Sequence, residues 1–201
     1  MKKVLSFDLE GTLVTLEFGE IIWNHAIPLE FSKKYGISFD EAKRLVISEY
    51  QSVGEERIEW YDLEYWLKRF DLKIKPLELL DKYEKHIRLF DGVKEALEML
   101  KERFTLIISS NATRLFIEKE LRFSGIEHFF AKIFSATSDF QLTKKSILFY
   151  KKVLEVLSLS PEEMVHVGDH RLFDYEIPKS LGIDAYLVEE ERTVKEIVSA
   201  L

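Results

Sequence analysis

Two carboxylates stand one residue apart where an apolar run ends, in Leu5-Ser6-Phe7-Asp8-Leu9-Glu10-Gly11-Thr12. Residues at that spacing leave an extended strand on the same side. One carboxylate can attack phosphorus as a nucleophile. The other can protonate a leaving oxygen and later deprotonate water. Three more places carry matching chemistry: Ser109, Ser110 and Asn111; Lys144 and Lys145; and Asp169, His170, Arg171 and Asp174. Clustered carboxylates raise one another's pKa values, and a hard divalent cation such as Mg²⁺ relieves that repulsion through oxygen ligands. A hydroxyl and a lysine can hold and neutralise phosphoryl oxygens.

Those residues are useful together only if the chain brings them together. Short apolar runs at Val4–Phe7, Phe104–Ile108, Lys132–Ser135, Met164–Val167 and Ala185–Val188 predict strands. Between them, helical periodicity predicts helices, including Arg114–Phe123 closed by Gly125, a helix with Ile147, Tyr150, Val153, Leu154 and Leu157 on its apolar face, Asp174–Leu181 ended by Gly182, and Val194–Leu201. Strands alternating with helices predict an α/β fold, a Rossmann-like parallel sheet covered by helices on both faces. Ligands of such sheets gather at the carboxyl ends of the strands, where each candidate residue falls. Residues 15–87 differ. They carry helical patterns, all three tryptophans and a stretch, Ser38–Glu41, that fits a capping box, but no convincing strand. The expected organisation is a core of 1–14 and 88–201 with an all-α insertion at 15–87.

Composition excludes several functions. Net charge is -7, which opposes a nucleic-acid partner. There is no cysteine, hence no disulfide, thiol nucleophile or cysteine zinc site. No run approaches the roughly 20 apolar residues of a membrane span. A cytoplasmic protein with no membrane partner is expected.

In their order, these motifs resemble the haloacid dehalogenase (HAD) superfamily of phosphotransferases. Asp8-Leu9-Glu10-Gly11-Thr12 is similar to its first motif, Asp-x-Asp-Gly-Thr, and Ile108-Ser109-Ser110-Asn111 to its second. Lys144, by its spacing to Phe149 and Tyr150, resembles the third, and Gly168-Asp169 through Asp174 the fourth. The insertion resembles the family's helical cap in position and helicity. The resemblance implies Asp8 as nucleophile and Glu10 as general acid and base. It implies Mg²⁺ on Asp8, the Glu10 carbonyl and Asp169, with Asp174 binding the metal or orienting its water. Thr12 and Gly11 would shape the loop. Thr12, Ser110, Asn111 and Lys144 would contact the phosphoryl group of a small phosphorylated metabolite.

Glu10 departs from the usual Asp by one methylene. It keeps a titratable carboxylate, and the enolase-phosphatase branch carries the same Asp-x-Glu-Gly-Thr. Dehalogenase members resemble Asp-x-Tyr here, so Glu10 argues against 2-haloacid dehalogenation. The competing reading is a non-catalytic phosphate- or metal-binding module of the same fold. Among the neighbours, Ser109 reads as structural, Lys145 as a solvated helix residue and His166 as a hydrogen-bonded core histidine. His170 and Arg171 are candidates for reaching the site. The cap aromatics Trp23, Trp60, Tyr61, Tyr65 and Trp66 read as a packed core. The oligomeric state is expected to be monomer or homodimer.

Overall fold

The computed structural model describes residues 3–189. The helix expected at 194–201 and part of the Glu189–Glu191 run lie outside the described residues. The chain divides into two compact units, one formed by the segment up to Thr15 and the chain from Leu89 onward, the other by Leu16–Arg88.

The first unit is built on five parallel strands: β1 (Val4–Phe7), β2 (Thr105–Ser110), β3 (Lys132–Ser135), β4 (Met164–Gly168) and β5 (Asp184–Leu187). Their order is β3-β2-β1-β4-β5. β1 is therefore central, paired on one side with β2 and on the other with β4. All four residues of β1 are buried, as a strand covered on both faces must be. β2 and β4 run past their apolar cores. Ser109 and Ser110 pair with Phe134 and Ser135, and Gly168 pairs with Leu187. Pairing with a neighbour, more than side-chain apolarity, sets where these strands end.

The second unit holds helices α1 (Glu17–Ile21), α2 (Ile27–Tyr35), α3 (Phe39–Val53), α4 (Leu63–Arg69) and α5 (Pro76–Tyr83). Its centre is aromatic. Trp66 is fully buried, meets Tyr50 edge-on at 4.6 Å and stacks on Phe70 at 5.5 Å. The Trp66 indole N–H donates to the Trp60 carbonyl at 3.1 Å. Ser38 caps α3 by accepting from the Glu41 N–H. A full capping box closes instead at Ser160 and Glu163, just ahead of β4.

Around the sheet lie α6 (Val93–Leu100), α7 (Arg114–Ser124), α8 (Ala136–Phe140), α9 (Ile147–Leu157) and α10 (Ile177–Ser180). The helix expected at 174–181 starts earlier, as a wide π turn over Arg171–Glu176 that runs into α10. There the Ile177 N–H reaches back five residues to the Leu172 carbonyl. The Phe173 carbonyl would next take residue 178, but Pro178 has no N–H to offer. The Tyr150 hydroxyl on α9 fills the gap, donating to Phe173 at 2.7 Å.

Candidate active site

Asp8 follows β1 directly, and its N–H still bonds to the Val167 carbonyl at 2.9 Å. That bond holds its backbone in the sheet while the side chain emerges at the strand end. The chain then turns tightly: the Leu9 carbonyl accepts from Thr12, Leu13 and Val14, and Gly11 donates to the Val14 carbonyl. Gly11 has φ +80°, and a Cβ there would come within 2.5 Å of Asp169 Oδ2. Gly168 is confined in the same way, since a Cβ would lie 2.4 Å from Asp174 Cγ. Both glycines make room for a carboxylate.

Asp8, Asp169 and Asp174 each present an oxygen to one small space, with these atoms all within 4.8 Å of one another. Three hard oxygen donors in that space suit a divalent cation such as Mg²⁺. Asp174 is fully buried. Its Oδ1 lies 2.8 Å from His166 Nε2 and is ion-paired with Lys145, and its Oδ2 accepts the His170 N–H at 3.0 Å. Thr12 donates to Asp169 Oδ1 at 3.1 Å.

The lysine that reaches the acids is Lys145, not Lys144. Lys145 is buried, with Nζ 3.0 Å from Asp8 Oδ1 and paired on its other side with Asp174. The Asn111 side-chain oxygen accepts the Lys145 N–H at 2.6 Å and fixes the loop that carries it. Lys144 instead places its ammonium over the Phe173 ring at 5.8 Å. The structure puts Lys145 in the place expected of Lys144, and Lys145 is not the solvated helix residue expected. It lies outside the helix: α9 begins at Ile147 after the Ser146 N-cap, so Lys145 sits in the preceding loop, fixed by Asn111 and buried against Asp8 and Asp174. Ile147, expected on the apolar face, is half exposed, whereas Phe149 is fully buried.

The other candidates take definite places. Ser110 is buried at the end of β2, where its Oγ accepts the Ala112 N–H at 3.2 Å and keeps its own proton to donate. Thr12, expected at the phosphoryl group, is fully buried and its hydroxyl is directed to Asp169. His170 accepts from the Phe173 N–H and stacks on that ring at 4.3 Å, and Arg171 pairs with Glu189. His166 is the hydrogen-bonded core histidine expected, but its partner is Asp174.

The charges are unevenly held. Burial pushes the Asp8 carboxyl up to about 8; Lys145 opposes this while Asp174 and Asp169 add to it. Burial, reinforced by Asp169, pushes Glu10 up to about 7. Burial would also raise Asp174, but Lys145 and His166 outweigh it and hold that carboxyl below the usual range. A carboxyl near 7 suits a group that gives a proton and then takes one.

One acid escaped the sequence reading. Glu120 on α7 is fully buried, and neither of its carboxyl oxygens has a hydrogen-bond partner. Burial, with Glu10 and Asp8 as further causes, holds its pKa well above the ordinary value. The signal was available: Glu120 shares the buried face of α7 with Phe116, Ile117 and Leu121.

A model of the haloacid dehalogenase-like hydrolases matches residues 2–182, and the chain belongs to that family. Glyceraldehyde 3-phosphate phosphatase of Pyrococcus furiosus is 28% identical over 192 residues, covering 90% of this chain and 78% of that protein. The protein of the same description from Methanocaldococcus jannaschii is 27% identical, covering 91% and 83%. The crystal structure of a HAD phosphatase from Thermococcus onnurineus superposes with a TM-score of 0.84 at 27% identity, covering 100% of this chain and 97% of that one. Within the family the chain is an enzyme, a phosphoric monoester hydrolase. The reading as a non-catalytic module is set aside.

Proposed function

We propose that the protein is a Mg²⁺-dependent phosphatase that hydrolyses a small phosphorylated metabolite through an aspartyl phosphate on Asp8. The observation that carries this reading is the Asp8 carboxylate at the end of the central strand, ion-paired to buried Lys145 and grouped with Asp169 and Asp174. An Asp8 oxygen attacks phosphorus, and the bond from phosphorus to the ester oxygen breaks. Glu10, protonated, gives its proton to the departing oxygen. Glu10, now ionised, takes a proton from water as that water attacks the phosphoryl group. The bond to Asp8 then breaks, inorganic phosphate leaves, and both acids return to their starting state. Ser110 donates to a phosphoryl oxygen and Lys145 neutralises the developing charge. Asp8, Asp169 and Asp174 would hold Mg²⁺, which supplies charge neutralisation at the phosphoryl oxygens.

Glu10 serves as a longer form of the usual acid, with the unit Leu16–Arg88 as the cap. Two relatives described as glyceraldehyde 3-phosphate phosphatases make short phosphorylated sugars and aldehydes the first substrates to try. The test is phosphate release from an aryl phosphate and a panel of triose, sugar, glycolate and nucleotide phosphates, in Mg²⁺ and in EDTA. Release that needs Mg²⁺ and falls at least about 10⁴-fold in Asp8→Asn is the expected result. Silence across the panel from folded protein, with Glu10→Asp silent too, would refute it.

A further inference from the structure

Behind Asp174 lies a chain of buried polar groups that hydrolysis at Asp8 does not itself use. Ser109 Oγ and Ser6 Oγ are 2.8 Å apart, Ser6 Oγ is 2.9 Å from His166 Nδ1, and His166 Nε2 is 2.8 Å from Asp174 Oδ1. All four residues are fully buried. They come from the three central strands and the turn after β4; Ser6 and His166 are register partners across β1 and β4. We propose that His166, backed by Ser6 and Ser109, is a positioning residue that locks Asp174 in the orientation needed to hold Lys145 and a divalent cation.

The argument starts from proton counting. Asp174, ion-paired with Lys145, is a carboxylate and can only accept. The proton in its contact with His166 therefore sits on Nε2. On the other side of the ring, Nδ1 lies against Ser6 Oγ, and the Ser6 hydroxyl donates onward to Ser109 Oγ, so Ser6 is held between the ring and Ser109.

An apolar core has no need of this arrangement. A hydrophobic residue at 166 would fill the same interior without three hydroxyl and imidazole groups that must all be satisfied. What the chain of bonds delivers is a single N–H aimed at Asp174 Oδ1. The His170 N–H holds the other oxygen, so the carboxylate is gripped at both ends. Lys145 bridges Asp174 and Asp8, so rotation of Asp174 would draw the lysine from the nucleophile as well as dispersing the acid cluster. Partners that orient metal-binding carboxylates typically change metal affinity or activity by about 10- to 100-fold when removed.

The role in turnover rests on the phosphatase reading; the metal and ring-proton measurements do not. The wild-type protein, His166→Leu and His166→Gln would be titrated with Mg²⁺ by calorimetry. Imidazole ¹⁵N spectra would be recorded for the wild type, with His166→Gln assigning the ring. Glutamine carries an amide N–H at the reach of Nε2. Mg²⁺ affinity is expected to fall about 10- to 100-fold in His166→Leu and to return within about threefold of wild type in His166→Gln. The wild-type ring is expected to carry a proton on Nε2. In the phosphate-release assay, kcat should fall in His166→Leu with KM little changed. A bare Nε2, or unaltered Mg²⁺ affinity in folded His166→Leu, overturns the proposal. If His166→Leu does not fold, the ring-proton measurement and His166→Gln decide the matter: a folded glutamine variant whose Mg²⁺ affinity falls by about 10- to 100-fold also overturns it. Mg²⁺ binding and an Nε2 proton without phosphate release from any substrate would refute the phosphatase reading alone.

Discussion

The two units contain the same backbone device with opposite contents. In the α/β unit the π turn over Arg171–Glu176 ends in Ile177-Pro178; in the helical unit the π turn over Ile22–Ala26 ends in Ile27-Pro28. Each isoleucine N–H reaches back five residues, to Leu172 and to Ile22. Each proline then fails to serve the next carbonyl, that of Phe173 or Trp23. A distant tyrosine serves it instead: Tyr150 at 2.7 Å and Tyr50 at 3.3 Å. After the aromatic residue the two diverge. One turn presents Asp174, fully buried and surrounded by Lys145, His166 and the His170 N–H. The other presents Asn24 to solvent. The geometry of a wide turn is therefore not in itself a site; the charges packed around it make it one. The units as a whole repeat that contrast. Apart from tyrosine and tryptophan, every buried polar residue among the described ones lies in the α/β unit. The helical unit is held by aromatic packing, with ion pairs such as Arg69–Glu49 left at its surface.

The sharpest way to break the comparison is to change the residue each turn presents. Asp174→Asn leaves Lys145 and His166 without their carboxylate partner and should destabilise the fold by about 3–5 kcal/mol, with loss of phosphate release. Asn24→Asp, at an exposed position, should stay within about 0.5 kcal/mol in the same denaturant titration. Equal effects would end the distinction. Lys145→Met should rank with Asp174→Asn, whereas Lys144→Ala should rank with Asn24→Asp.

Glu120 offers a change of opposite sign. Glu120→Leu replaces a buried acid with no hydrogen-bond partner and should stabilise by about 1–3 kcal/mol. The gain should depend on pH. A carboxyl whose folded pKa is raised keeps its proton in the folded state after the unfolded chain has lost it, so stability falls as pH rises above the ordinary value. Thermal unfolding should show a larger gain at pH 8 than at pH 5. Asp8, near 8, and Glu10, near 7, act in the same direction, so the wild type in EDTA should lose Tm as pH climbs from about 4 through 8. Mg²⁺ competes with protons for Asp8, and its stabilisation should grow across that range. Asp174 acts in reverse: its contribution is lost as pH falls below the ordinary carboxyl range.

The smallest effects test the device itself. Tyr150→Phe and Tyr50→Phe each strand one carbonyl and should cost about 1–2 kcal/mol. The comparison predicts similar losses of stability from the two, but reduced turnover from Tyr150→Phe, whose turn carries Asp174. Matching turnover in the two variants would show that the α/β turn tolerates a stranded carbonyl without moving its acid.

Much of this is legible in the sequence. Apolar runs flanked by Asp8, Ser110 and Asp169 announce strands whose ends carry chemistry, because strand length and alternation are local properties. Gly11 and Gly168 mark close approach, although the carboxylates they admit are 158 and 6 residues away. The choice between Lys144 and Lys145 is not legible, because it depends on how the loop ahead of α9 is held, and Asn111, 34 residues away, holds it. The His166 relay needs the register of β1 against β4. The tyrosines that complete the π turns sit 27 and 23 residues from the carbonyls they serve. Local sequence determined which residue types were available at the strand ends. Only tertiary packing decided which of them share a low-dielectric interior, and there a shift of one residue or one helical turn separates a solvated charge from a buried partner of the nucleophile.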